Sequence, residues 1–383
     1  MDTSNRILYV VNAAEYFVSH RLPIAQRAQQ AGYSVHVAAT GLSGDASDAV
    51  DTIKQCGFTY HDVPINRGGQ NPLTELGALI NIYFLIRKLS PKLVHLVTIK
   101  PVLYGGIAAR LNGVPAVVVA VAGLGTVFLA SSTMARLRRW FVTRLMSSAF
   151  KVPGLAAIFQ NSDDCDALVR MGVLQRSQAR IIRGSGVSLE KCAYIPEPAG
   201  KPVVVMASRL LKDKGVQEFV EAARILRARC VDIEMRLIGY RDPGNPTSLS
   251  QQDIENWRNE GVIEYLGFQE NIASQYSAAH IVCLPSYREG LPKSLVEAAA
   301  CGRAVVTTDV PGCRDAITPN ETGLLVPVKD AVALANAIQQ LAEDRELREK
   351  MGKAGRKLAE SEFAIEKIVD QHIKIYEELG IDA

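Results

Sequence analysis

Residues 280–302 read HIVCLPSYREGLPKSLVEAAACG, and this stretch decides the fold. His280–Pro285 is a short apolar run of strand character. A turn containing Gly290 follows, and Pro292 suits the opening turn of a helix, where its missing N–H costs nothing. Gly302 closes that helix. A strand that delivers straight into a helix is the unit of a parallel sheet. The free amides near Leu291–Leu295 make an anion site by backbone and dipole alone. Glu289 stands just before the helix and Glu297 well inside it. Two carboxylates beside such amides suit hydroxyls next to a phosphate, as in a nucleotide sugar. The spacing also allows Glu289 as a helix cap and Glu297 on a solvated face.

The alternation extends in both directions. Val203–Ala207, Glu234–Ile238, Ile263–Leu266 and Ala304–Thr308 read as strands, with helices at Val216–Ala228 and Gln251–Asn259. In the first half, Ile7–Val11, Ser34–Ala39, Thr59–Ile65, Val94–Thr98, Ala116–Ala120 and Ala156–Gln160 read as strands. Helices are expected at Leu22–Ala31, at Pro72–Leu89, and at about residues 100–111 and 132–150. Pro196, Pro198, Gly200 and Pro202 cluster between the halves. The expected architecture is α/β, with two doubly wound, Rossmann-like domains over 1–195 and 196–364 and a cleft between them. The amphipathic segment 365–383 is expected to pack back on the first domain.

A second cluster, Ala207-Ser208-Arg209-Leu210-Leu211-Lys212-Asp213-Lys214-Gly215, follows the first strand of the second half. An Arg fork and a Lys point charge on either side of a turn match a diphosphate; an exposed basic loop is the plainer alternative. In the first half, His20-Arg21 and Lys100 lie just beyond strands and can meet a phosphate of a second substrate. The Gly123-Leu124-Gly125 and Gly184-Ser185-Gly186 turns are weaker signals. His95 reads as a packed core residue, and Asp164-Cys165-Asp166 as a helix start rather than a metal motif. No Gly-x-x-x-x-Gly-Lys-[Ser/Thr] exists and no Gly-x-Gly-x-x-Gly follows the first strand, which disfavours NTPase and dinucleotide chemistry.

Composition narrows the class. The 383 residues are 48% hydrophobic and 22% charged, which excludes a disordered or fibrous chain. The seven cysteines are scattered without a Cys-x-x-Cys pair, and read as small buried residues of a reducing compartment. The N-terminus does not read as a signal peptide, and no apolar run is long enough to span a bilayer. The net charge of +3 hides its distribution. Residues 1–75 carry 5 Lys/Arg and 7 Asp/Glu, and residues 163–383 carry 28 and 33. Leu76–Ser162 holds 10 basic residues and no carboxylate. Such a stretch is suited to an anionic partner. Within it, residues 133–151 set Arg136, Arg138, Arg139 and Arg144 beside Trp140 and Phe141. That pattern suits an anionic membrane surface and equally an ordinary domain helix.

On these residues the chain resembles the family 4 retaining glycosyltransferases, which have the GT-B architecture. Glu289 and Glu297 match that family's E-x7-E signature, and Arg209 with Lys214-Gly215 matches its diphosphate site. Ser19-His20-Arg21-Leu22-Pro23-Ile24, Gly123-Leu124-Gly125 and Gly239-Tyr240-Arg241-Asp242-Pro243 carry a narrower likeness. It is to the bacterial transferases that extend undecaprenyl-diphosphate-linked glycans, N-acetylgalactosaminyltransferases among them. The resemblance implies a hexosyltransferase that uses a UDP-sugar, N-acetylgalactosamine foremost, with retention and without a metal. Arg209, Lys214 and Glu289 would be catalytic. Glu297, Gly290, Leu291, Pro292, Leu295, Gly239 and Phe268 would bind the donor. His20, Arg21, Lys100, Gly123 and Gly125 would bind the lipid-linked acceptor. Ile99 stands where many members carry a histidine. The implied setting is peripheral, on the cytoplasmic face of the cell membrane, with no nucleic acid partner. A UDP-sugar 2-epimerase of the same fold, and a catalytically silent nucleotide-sugar-binding scaffold, are the alternatives. The acid-free stretch argues against the first and the joint presence of Glu289, Glu297, Arg209 and Lys214 against the second.

Overall fold

A computed structural model describes residues 5–41, 47–65, 72–124 and 133–380. Gly125 lies outside the described residues, and the side chains of Arg136, Arg138 and Phe141 are likewise outside them. The chain forms two compact units. One comprises the residues up to Ser185 with those from Glu366 onward; the other is Gly186–Ile365.

The first unit is built on a seven-stranded parallel sheet in the order β3-β2-β1-β4-β5-β6-β7. Its strands are β1 Arg6–Val11, β2 Ser34–Ala39, β3 Thr59–Asp62, β4 Leu93–Val97, β5 Ala116–Val121, β6 Gly154–Phe159 and β7 Ala179–Ile181. Strands β1, β4, β5 and β6 are buried along almost their whole length, so they carry Val, Ile, Leu and Ala on both faces instead of alternating. The connecting helices are α1 Ala14–His20, α2 Leu22–Gln30, α3 Ser47–Gln55, α4 Pro72–Leu89, α5 Ile99–Leu111, α6 Thr133–Ala149 and α7 Ser162–Arg170. Helix α1 was not expected. Its capping position is Ala13, whose side chain accepts no hydrogen bond, so the usual start signal is missing. The strand expected over Thr59–Ile65 stops at Asp62, where pairing with β2 ends at the sheet edge. Helices α4, α5 and α6 share one core with the sheet, where α4 packs beside α5 and α5 beside α6.

Helix α14, Ile365–Glu378, closes the other face. Its Tyr376 hydroxyl lies 3.0 Å from Tyr9 Oη and 2.6 Å from His95 Nδ1. His95 is fully buried, stacked 5.1 Å from Tyr9 and 6.0 Å from His372. Burial holds both imidazoles below their ordinary pKa, His372 at about 3, with the Arg21 guanidinium adding to the effect. These histidines are neutral packing groups.

The second unit holds a six-stranded parallel sheet in the order β10-β9-β8-β11-β12-β13. It comprises β8 Val203–Ala207, β9 Glu234–Ile238, β10 Glu264–Gly267, β11 Ile281–Leu284, β12 Ala304–Thr308 and β13 Gly323–Val326. Helices α8 Val216–Ala228, α9 Gln251–Glu260, α10 Ile272–Ser277, α11 Lys293–Ala300, α12 Ala331–Glu343 and α13 Arg345–Leu358 cover it. The unit begins ahead of the Pro-rich segment. Val187 is buried in the second core, receives a 3.0 Å hydrogen bond from the Ile365 amide and donates one of 2.8 Å to Phe363 O. The Pro-rich segment itself is tied down, because the buried Arg303 guanidinium donates to Ile195 O and His280 Nε2 lies 3.0 Å from Pro198 O. Proline there sets a path over the surface of the second unit. Of the seven free cysteines, Cys230 is exposed and Cys56 half-buried, which corrects the reading of all seven as core residues.

Candidate active site

In the second sheet the strand order reverses between β8 and β11, the place where open parallel sheets bind ligands beyond their carboxyl ends. Residues 208–215 and 285–292 leave those two ends side by side. Gly215 permits their approach: it has φ +76°, and a Cβ there would sit 2.1 Å from Pro285 O. The Tyr287 amide donates to Asp213 O at 2.9 Å, stitching the turns together.

The result joins the two sequence clusters. The Lys214 ammonium forms an ion pair with Glu289 Oε1, and both side chains are largely buried. Ser286 Oγ, fully buried, lies 2.7 Å from the same carboxylate oxygen and 3.1 Å from Asp213 O. Glu289 is further held by its own amide, which donates to Pro311 O at 3.2 Å. Glu289 is therefore a positioned carboxylate in the turn, and not a cap of α11.

Helix α11 begins at Lys293 with Pro292 in the capping position, one residue later than expected. The Leu295 and Val296 amides donate to Pro292 O at 3.1 and 3.3 Å, so Leu295 offers no free amide, and its side chain belongs to the core. The amides of Lys293 and Ser294 precede the first amide that bonds back to a helical acceptor and remain directed at the helix mouth. Leu291 is also a core side chain, so only its backbone can serve a ligand. Glu297 is 14% exposed, with Lys293 Nζ 3.5 Å away. Burial raises its carboxyl pKa above the ordinary value. That excludes the solvated-face reading of Glu297.

Arg209 is more open, at 43% exposure, and its Nη1 donates to Asp242 Oδ2 at 2.9 Å. Asp242 belongs to a loop after β9 that is pinned to the Arg209 turn, with Lys212 N to Thr247 O at 2.8 Å and Leu249 N to Leu210 O at 2.9 Å. Gly239, with φ +144°, opens that loop; a Cβ there would lie 1.8 Å from Ser208 O. Its amide donates to Gly267 O at 2.9 Å. Tyr240 and Phe268, 48% and 67% exposed, meet edge to face 5.8 Å apart beside it. Two exposed aromatics at a strand carboxyl edge present a flat apolar surface to a planar ring.

The residues expected to bind acceptor are more scattered within the first unit. His20 ends α1, stacked 4.1 Å over Tyr16 with Nδ1 2.7 Å from Ser19 Oγ. Arg21 is buried, its guanidinium donating to His20 O at 3.0 Å, so it is not an exposed phosphate ligand. Lys100 lies on α5, paired with Glu75 at 2.6 Å. Gly123 has φ +116°, and the next residue, Leu124, donates its amide to Asp164 Oδ2 at 3.3 Å. Asn161 rather than Asp164 caps α7, leaving the buried Asp164 to brace the Gly123 turn. Thr98, between β4 and α5, has φ +73° and ψ 162°, a conformation costly for a β-branched residue. No local sequence signal marks it, nor the partnership of Asp242 or Ser286 with the motif residues.

The region around Glu297 has a stability consequence. A carboxyl whose folded pKa is raised favours the folded state below its unfolded pKa and opposes it as pH rises through the folded one. Glu297→Gln is expected to raise Tm at neutral pH, with the gain vanishing in acid, and to weaken nucleotide binding in calorimetry. A lower Tm at pH 7 would contradict the burial argument.

Residues 6–152 match the glycosyl transferase 4-like family, and residues 191–358 match the glycosyl transferases group 1 family. The chain is 29% identical over 325 residues to the N,N'-diacetylbacillosaminyl-diphospho-undecaprenol alpha-1,3-N-acetylgalactosaminyltransferase of Campylobacter jejuni, covering 82% of this chain and 84% of that one. It is 28% identical to the capsular polysaccharide biosynthesis glycosyltransferase CapM of Staphylococcus aureus, over 45% of each chain. Among solved structures, the sucrose-phosphate synthase of Thermosynechococcus elongatus superposes with a TM-score of 0.80 at 22% identity, covering 99% of this chain and 100% of that one. Anabaena HepE in complex with UDP gives 0.76 at 17% identity, covering 97% and 100%. With two parallel Rossmann-like sheets, and both halves matched in order, the chain belongs to the GT-B glycosyltransferases, joining a glycosyltransferase 4-like domain to a group 1 glycosyltransferase domain.

Proposed function

We propose that this glycosyltransferase moves a hexose or N-acetylhexosamine, N-acetylgalactosamine foremost, from a UDP-sugar to an undecaprenyl-diphosphate-linked saccharide, with retention and without a metal. The observation that carries the donor assignment is the convergence of Lys214, Glu289, Arg209 and the α11 mouth on one carboxyl edge of the second sheet. The acceptor class rests on the likeness to the Campylobacter jejuni enzyme, and UDP as carrier on the HepE complex.

In this reading Arg209 and Lys214 leave Asp242 and Glu289 for the incoming diphosphate. Their two charges, with the Lys293 and Ser294 amides, stabilise the charge that develops as the bond to the sugar breaks. Glu297 accepts from the ribose hydroxyls. Glu289, released from Lys214, and the backbone of Gly290–Pro292 meet the donor sugar. Gly239, Phe268 and Tyr240 receive the base. The acceptor oxygen bonds to the anomeric carbon on the face the diphosphate leaves, and its proton passes to the departing phosphate oxygen. His20, Lys100 and the Gly123 turn are the acceptor residues of this reading. Lys100 would be drawn from Glu75 by the acceptor diphosphate. Helix α6 supplies membrane attachment, supported by Trp140, 56% exposed with the Arg144 guanidinium 5.4 Å over its ring.

The test is a panel of radiolabelled UDP-sugars offered to the purified chain with a polyprenyl-diphosphate-linked saccharide, with and without EDTA. Transfer of one sugar with UDP release is expected, unchanged by EDTA, and an α-anomeric product by NMR. Conversion of donor without acceptor would favour an epimerase. Donor binding without turnover would favour a silent module, and loss of rate in EDTA would refute the metal-free route.

A further inference from the structure

Helix α4 is apolar on both sides. Ala78, Ile82, Ile86 and Leu89 are buried within the first unit. On the opposite side Leu76, Ile80 and Phe84 are 54%, 43% and 61% exposed. At the angular step of an α-helix they fall within about 80° of one another, and Arg87 continues the same strip. A surface helix ordinarily carries polar residues there, and a contiguous exposed apolar row marks an interaction site.

The surroundings of the row select its occupant. Glu75 is the sole carboxylate of α4, and it is engaged by Lys100 and Tyr104. No further Asp or Glu occurs before the end of α6, so the layer formed by α4, α5 and α6 has no other carboxylate. At its C-terminal end the row runs into a groove lined by Arg87, Ser90, Lys92 and Leu111, and Leu111 is itself 64% exposed. At its other end it starts beside the Glu75–Lys100 pair. A second copy of this chain docked symmetrically through the same face would set these cations against each other. An anionic bilayer would receive both the apolar row and its charges.

We propose that the outer face of α4 seats on an anionic bilayer, with Leu76, Ile80 and Phe84 at the boundary between headgroups and acyl chains and Arg87 and Lys88 against anionic headgroups. The inference stands independently of α6 and of the donor chemistry. Its test is co-sedimentation of the full chain with phosphatidylcholine vesicles, with and without phosphatidylglycerol. The wild type is expected to bind only the anionic vesicles. Ile80→Glu with Phe84→Glu, at exposed positions that leave the core intact, is expected to weaken that binding by about tenfold or more. Transfer to a short-chain, water-soluble acceptor should be unchanged in this variant, so failure of membrane seating is distinguished from failure of the enzymatic reading. Arg138→Glu with Arg139→Glu forms the parallel arm for α6. Vesicle binding that survives the α4 substitutions, or that is indifferent to phosphatidylglycerol, overturns the proposal. So does a wild-type dimer in analytical ultracentrifugation that the α4 substitutions convert to monomer.

Discussion

Lys214→Ala is expected to lower kcat/KM for sugar transfer by about 10²–10³-fold, the usual cost of removing one preorganised charge from a site of developing negative charge. Two effects combine. The diphosphate loses its less exposed cation, since Lys214 is 17% exposed against 43% for Arg209. Glu289 also loses its ammonium partner while remaining 13% exposed, which leaves a confined carboxylate uncompensated. The two are separable by a double-mutant cycle. Glu289→Gln in the Lys214→Ala background removes the stranded charge, so stability should recover while transfer does not. Unchanged UDP binding in calorimetry for Lys214→Ala would sink the diphosphate assignment. Recovery of transfer in the double variant would show that the ion pair is structural only.

Gly239→Ala is expected to destabilise the second unit by about 3 kcal/mol and lower its Tm by roughly 5–10 °C. The residue has φ +144°, and the new Cβ would lie 1.8 Å from a backbone oxygen, Ser208 O, which no side-chain rotation can relieve. Relief would push the Arg209 turn away from the loop after β9, so donor affinity should fall with stability. Gly261→Ala is the control. It has φ +68° with nothing within 4 Å of the new Cβ, so it carries only the left-handed penalty of about 1–2 kcal/mol. Equal losses in calorimetric Tm for the two variants would show that the close approach at Gly239 contributes nothing.

Much of the site was legible because its signals are local. A strand, a Gly turn and Pro292 announced the α11 mouth, and Arg209 with Lys214-Gly215 announced the turn after β8. Helix α1 was not legible, because Ala13 gives no cap. Thr98 was not, because its backbone strain has no compositional mark. Arg21 reads from sequence as able to meet a phosphate, because a charged residue near a strand end ordinarily stays in water. It is buried beside His95 and His372, groups distant in the chain that α14 brings to β1 and β4. Proline clustering marks a change of path, while the second compact unit starts at Gly186, where Val187 pairs with Ala364 near the unit's other end.

The sequence by itself determined the fold class, the order of the two sheets and the residue types at the donor site, since periodicity and turn chemistry act over a few neighbours. Only the tertiary structure decided which of those residues meet. Strand order placed β8 beside β11 and so set Lys214 on Glu289, and glycines at 215 and 239 let the backbones approach. The same holds for α4. Its sequence reads as an amphipathic helix, and only its place at the outside of a layer left the apolar Leu76, Ile80 and Phe84 facing outward. Burial is a property of the packed whole, and no window of sequence contains it.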